Sequence, residues 1–156
     1  MVVMIKLSDI IDSMEFQPDE STAFLNRETG EVATISDEAF QAVENNEPLD
    51  DFPKQQQDAI KAAGKILESE DYIPLPTKFD IHEYAIMERY CLSIPDDKLS
   101  DKLYQSIKSR SGALRRFNDN IYRHDLAEKW FRYRRLEIKE MAIEWCEENG
   151  LSYKDE

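Results

Sequence analysis

Among the side chains of this 156-residue chain that are able to do chemistry, guanidinium groups form the densest set. Arg115, Arg116, Arg123, Arg132 and Arg135 fall in one stretch that also holds Tyr122 and Phe131. A guanidinium is a planar, permanently charged fork of donors that matches phosphate and carboxylate oxygens in pairs, and neighbouring rings add stacking surface. Such a set reads as a binding face for an anion. Its simpler competing role is pairing with acidic elements of the same chain.

Other reactive groups converge less well. Asp80, His82, Glu83, Glu88 and His124 are the residues eligible as general bases or metal ligands. A zinc-protease helix needs two histidines one turn apart, so that both rings face one ion, and this stretch supplies only His82. Capping a helix start is the more economical use of Asp80 and Glu83. His124 stands at a helix junction where a preceding carbonyl end favours a cation, which assigns it a surface role. There is no Gly-x-Ser-x-Gly elbow, and neither Cys91 nor Cys146 has a histidine close by in sequence. The four glycines are dispersed, which leaves no phosphate-cradling loop. Both cysteines lack a zinc or CxxC spacing and read as buried thiols. No catalytic residue, metal ligand or cofactor is assigned.

The charge distribution is uneven. The chain carries a formal net charge of −13, which disfavours indiscriminate attraction to nucleic acid or anionic lipid. Between Lys102 and Lys139, however, eleven Lys or Arg stand against four Asp or Glu, so this segment is +7 and the remainder −20. Mutual neutralisation within the fold is the first explanation, and a nucleic-acid surface the second. With 41% apolar, 10% aromatic and 34% charged residues, the chain can bury a core while staying well solvated. Apolar runs such as Val2-Val3-Met4-Ile5 are too short to span a bilayer, and Lys6 and Asp9 interrupt any signal-peptide core. The expected location is the cytoplasm, without membrane contact.

Periodicity supplies the elements that must hold these groups. Val2 to Lys6 reads as an extended lead-in to a short helix capped by Ser8 and ended by Pro18. Thr22–Asn26 and Glu31–Ile35 flank a polar loop with Gly30 and predict an antiparallel hairpin. Ser36 caps a brief helix, and Glu44 to Asp51 reads as a mobile loop. Pro53 introduces a helix over 54–69, and Tyr72-Ile73-Pro74-Leu75 reads as an extended segment beside the hairpin. A capping box of Asp80 and Glu83 opens the next helix, Pro95 the one after, and Ser111 the one carrying Ala113, Leu114, Phe117 and Ile121 inward. Asp125 and Glu128 form a further box for a long helix ending at Gly150. On its wheel Leu126, Trp130, Tyr133, Met141 and Trp145 face inward, with Lys129, Arg132, Arg135 and Lys139 opposite. Arg134 and Glu137 fall on or beside the apolar arc, where they pair with each other or with charges from another element.

Several of these segments also carry a resemblance. Ser111-Gly112-Ala113-Leu114-Arg115-Arg116-Phe117-Asn118-Asp119, Trp130-Phe131-Arg132-Tyr133 and Ala142-Ile143-Glu144-Trp145, followed by Gly150-Leu151, resemble a family of bacterial proteins known only as uncharacterised. That family typically reads Gly-Ala-Phe-Arg-Arg-Phe-Lys-Asp before Trp-Tyr-x-Phe. The series from Phe24 to Val32 and the Tyr72-Ile73-Pro74 step are similar to it in the same order. Leu114, Asn118 and Tyr133 depart from the usual Phe, Lys and Phe. The resemblance brings no activity, catalytic residue or cofactor.

The expectation is one α+β domain over residues 1–156, mostly helical, with a small antiparallel sheet built on the hairpin and a long C-terminal helix. Its expected function is a noncatalytic cytoplasmic binding or regulatory module using the Arg face, or the opposite acidic surface, to meet a partner, protein or nucleic acid. A nucleic-acid-associated protein is the alternative, and a hydrolase ranks third.

Overall fold

The computed structural model describes residues 3–156, apart from the side chains of Lys78 and Phe79; Val2, the start of the expected lead-in, lies outside it. The chain is α+β, with two compact units. One comprises the residues up to Asp80 together with Ala142–Glu156, and the other is Ile81–Met141.

In the first unit, β1 (Ile5–Lys6) leads into α1 (Leu7–Glu15). Lys6, not Ser8, stands at the N-cap position of α1 and makes no side-chain cap. Leu7, Ile10, Ile11 and Met14 set the helix phase instead, because all four must be buried. The free Ser8 N–H is satisfied from far along the chain, donating to the Glu156 main-chain oxygen at 2.8 Å. That contact extends a parallel pairing of β1 with β5 (Tyr153–Lys154), Ile5 opposite Tyr153.

The hairpin forms as its residues dictate, from β2 (Ser21–Asn26) and β3 (Val32–Ser36), and β4 (Tyr72–Pro74) pairs antiparallel on the other side of β2. Strand order is therefore β3-β2-β4. Alternation gives β2 two working faces. Phe24 packs on one with α2 (Asp37–Glu44) and α3 (Lys54–Glu68), around Ile35, Ala39, Ala42, Ile60, Ala63 and Ile66. Ala23, Leu25 and Ile73 are buried on the other. Ser36 caps α2 as its sequence position requires, accepting from Ala39 N–H at 3.2 Å. The expected mobile loop after α2 holds a 3₁₀ turn at Leu49–Asp51.

The helix start near residue 80 differs from the expected box. α4 (Lys78–Ile81) follows Thr77, whose N–H donates to Asp80 Oδ2 at 2.8 Å, so Asp80 satisfies a free amide at the helix start from within the first turn. The Thr77 hydroxyl donates to the same carboxylate oxygen at 3.1 Å, so Asp80 lies inside the helical turn and accepts from the residue before it.

The second unit contains α5 (Glu83–Ser93), α6 (Asp97–Ile107), α7 (Ala113–Arg123) and the first two-thirds of α8 (Ala127–Glu148). Asp96 caps α6 by accepting from Lys98 and Leu99 N–H at 3.0 and 3.2 Å. Its centre is aromatic: Phe117 and Trp130 meet edge-on at 4.7 Å, with Tyr90 at 5.3 Å from Trp130 and 5.2 Å from Tyr133. Phe117 and Trp130 are buried, as their spacing predicts.

Two expected caps in this unit give way to backbone solutions. Gly112, not Ser111, occupies the N-cap position of α7, without a side-chain cap. Asp125 does not cap α8 either. It sits at φ 57° and ends α7, donating its N–H to Tyr122 O while Leu126 N–H donates to Ile121 O. This is a Schellman closure with aspartate in the left-handed position. Gly150 closes α8 in the same way, through Gly150 N–H to Glu147 O and Leu151 N–H to Cys146 O. Here the glycine signal and the structure coincide.

Candidate binding face

The connection between α6 and α7 is shaped by Arg116. From one turn inside α7 its guanidinium donates to the carbonyls of Ser106, at 2.6 Å, of Ser111, at 2.9 Å, and of Ser109. Helix ends leave such carbonyls unpaired, and a planar cation with several donors satisfies three of them at once. Gly112 makes room for this clamp, since it adopts φ 73° and a Cβ there would approach Arg116 Nη1 to 2.9 Å. The loop side chains are held as well. Arg110 lies 4.4 Å over the Tyr84 ring, whose hydroxyl donates to Ile107 O at 2.7 Å, and Lys108 lies 5.8 Å over Tyr104.

The expected arginine set therefore separates by role. Arg115 and Arg123 are exposed and make no hydrogen bond or ion pair among the described residues. Arg132 is exposed and forms an i,i+4 pair with Glu128 at 3.3 Å, a contact worth little in water. Arg135 is exposed and has an interaction of its own. Arg116 is half-buried, and its donors are occupied by the loop. Tyr122 and Phe131 are 64% and 51% exposed, beside these cations in sequence.

Leu114 corrects the expected inward face of α7: it is 54% exposed, while Ala113, Phe117, Asn120 and Ile121 are buried. The outward residues are Leu114, Arg115, Asn118, Asp119, Tyr122 and Arg123, in pairs at helical spacing. Sequence reasoning did not place Asn118 and the loop residues Lys108 and Arg110 on this surface. The two cations were visible within the basic segment, and the structure places them on the connection whose carbonyls Arg116 holds.

Arg134 and Glu137 do not pair with each other. Arg134 holds Glu83 in a two-point contact, Nε to Oε1 at 2.7 Å and Nη2 to Oε2 at 3.0 Å. Glu137 accepts from Arg89 Nη2 at 2.9 Å. Both partners come from α5, so these pairs fasten α5 to α8. The Arg89 hydrogen bond, opposed by burial and assisted by Tyr133, lowers the Glu137 pKa from the ordinary glutamate value. Among the expected base or ligand residues, Glu83 is thus engaged by Arg134 and Asp80 by Thr77. His82 adopts the left-handed conformation between α4 and α5. His124 is half-buried rather than superficial, with Nε2 enclosed and unpaired. Among the described residues no group of three or more His, Cys, Asp or Glu is arranged to hold a metal ion, and no helix is long and apolar enough to cross a membrane.

The order of hairpin, clamp and aromatic helices extends along the whole chain, and so does the family model it matches, that of an uncharacterised protein family, UPF0158, over residues 1–156. The chain belongs to the UPF0158 family. No curated protein and no solved structure matches it. Within this UPF0158 chain, the Gly-Ala-x-Arg-Arg-Phe run acquires a structural meaning: Gly112 and Arg116 build the clamp, Phe117 enters the core and Arg115 points outward.

Proposed function

We propose that this protein is a noncatalytic cytoplasmic binding module whose contact surface is the outward face of α7 with the exposed arginines of α8. One observation carries the reading: Arg115 and Arg123 stand exposed on one helix face with no internal partner among the described residues. Internal neutralisation, the simpler role for these arginines, leaves these two unaccounted for. Exposed Tyr122 and Leu114 on the same helix add apolar contact area without forming core.

The test is recovery of cellular partners with the tagged chain and with an Arg115→Glu/Arg123→Glu variant, each with and without nuclease. Partners retained by the wild type and lost by the variant are the expected outcome. Identical recoveries by both chains sink the reading.

A further inference from the structure

Resting on that reading, the geometry points to B-form DNA as the partner, with α7 lying in the major groove and the 108–112 connection beside it on the phosphate backbone. Helices α6 and α7 have eleven residues each, pack against one another and are joined by five residues. α5 supports them from within, packing on α6 and meeting α7 through Tyr90 and Phe117, 6.4 Å apart. The unit thus presents α7, the later of two packed helices joined by a short connection, with one face uncovered among its described residues.

The residue types on that face fit base edges. Arginine pairs with guanine N7 and O6, asparagine with adenine N6 and N7, and aspartate accepts from cytosine N4. Arg115, Asn118, Asp119 and Arg123 supply all three kinds over a helix about 16 Å long. Lys108 and Arg110 precede them as exposed cations on a loop already fixed by Arg116, Gly112, Tyr84 and Tyr104. A loop ordered before binding loses less freedom on contact.

Other occupants fit less well. A protein hot spot needs clustered apolar anchors, whereas Leu114 and Tyr122 stand about 12 Å apart with Asn118 between them. The deep, narrow major groove of A-form RNA does not admit a helix. Single strands need a run of stacking rings, and α7 offers only Tyr122 outward. Charge sets the strength of binding. Ile81–Met141 holds thirteen Lys or Arg against ten Asp or Glu, or +3, and the remainder is −16, so long-range attraction is weak and short contacts dominate.

The experiment is fluorescence anisotropy of the full chain with a labelled mixed-sequence DNA duplex of about two helical turns. Wild type should bind at low salt, with log affinity falling at a slope of about −2 to −4 against log salt, for roughly two to four phosphates neutralised. Arg115→Gln/Arg123→Gln should weaken binding about tenfold or more, whereas Lys54→Gln/Lys61→Gln, the same charge loss on α3, should change it less than about twofold. Circular dichroism confirms that each variant is folded. An absence of wild-type binding, equal loss in both variants, or displacement by duplex RNA as effective as by DNA overturns the assignment. If DNA is not bound but a nuclease-resistant protein partner depends on Arg115 and Arg123, the DNA assignment falls and the binding-module reading stands. If those arginines matter to no partner, both fall.

Discussion

Arg116 shows how strongly one side chain determines a surface it does not itself present. Its three carbonyl contacts hold the turn that leads into α7, so Arg116→Ala should destabilise the protein by about 1–3 kcal/mol, read as a lower urea midpoint. Arg116→Lys keeps the charge but not the fork and should recover only part of that loss. Glu137 gives a pH signature. Its folded pKa lies below the unfolded value, so its contribution is present above the ordinary glutamate pKa and is lost as pH falls through the folded one. The stability gap between wild type and Glu137→Gln should therefore be open at neutral pH and close in acid; half-exposed Arg89 limits its size to about 1 kcal/mol. The cysteines are the opposite case. Burial raises both Cys91 and Cys146 to about 11, leaving about one thiolate in a thousand at pH 8, so a thiol reagent should label neither in the native state and both in denaturant.

At the scale of elements, helix ends are closed more by backbone than by the side chains expected to cap them. Asp125 occupies the left-handed position where α7 stops, a conformation that costs most side chains about 1–2 kcal/mol and glycine almost nothing. Asp125→Gly should thus be about 1 kcal/mol more stable than Asp125→Ala by chemical denaturation. Equal stability would mean that the Schellman closure does not limit this junction. α8 adds a different lesson. Of its buried residues, Trp130 and Ile138 belong to the unit Ile81–Met141, and Ala142 and Cys146 to the other. Met141 and Trp145, assigned to a single inner arc, are only half-buried, whereas Ile138, outside that assignment, is buried. One wheel cannot describe a helix whose two ends belong to two compact units.

For the whole molecule, α8 offers a direct measure of cooperativity. Trp130 lies in the unit Ile81–Met141 and Trp145 in the other, on one unbroken helix. Trp145→Phe leaves fluorescence to report one unit, and Trp130→Phe the other. Coincident urea midpoints, each variant checked against its own circular dichroism transition, are expected if the 156 residues unfold as one domain. Separate midpoints would divide the chain into two.

Much of the architecture was readable from local pattern. The hairpin, the Ser36 cap, the helix stop at Gly150 and the buried aromatics follow from alternation, capping chemistry and 3.6-residue spacing, which act between neighbours in sequence. Only the tertiary structure decided which cations remain available. Arg116 and Arg134 are taken up by groups brought near through folding, while Arg115 keeps its face to solvent, one residue from the half-buried Arg116. Sequence sets the local period and the charge of each residue; the pairing of charges depends on distances of a few ångströms that exist only once helices have packed.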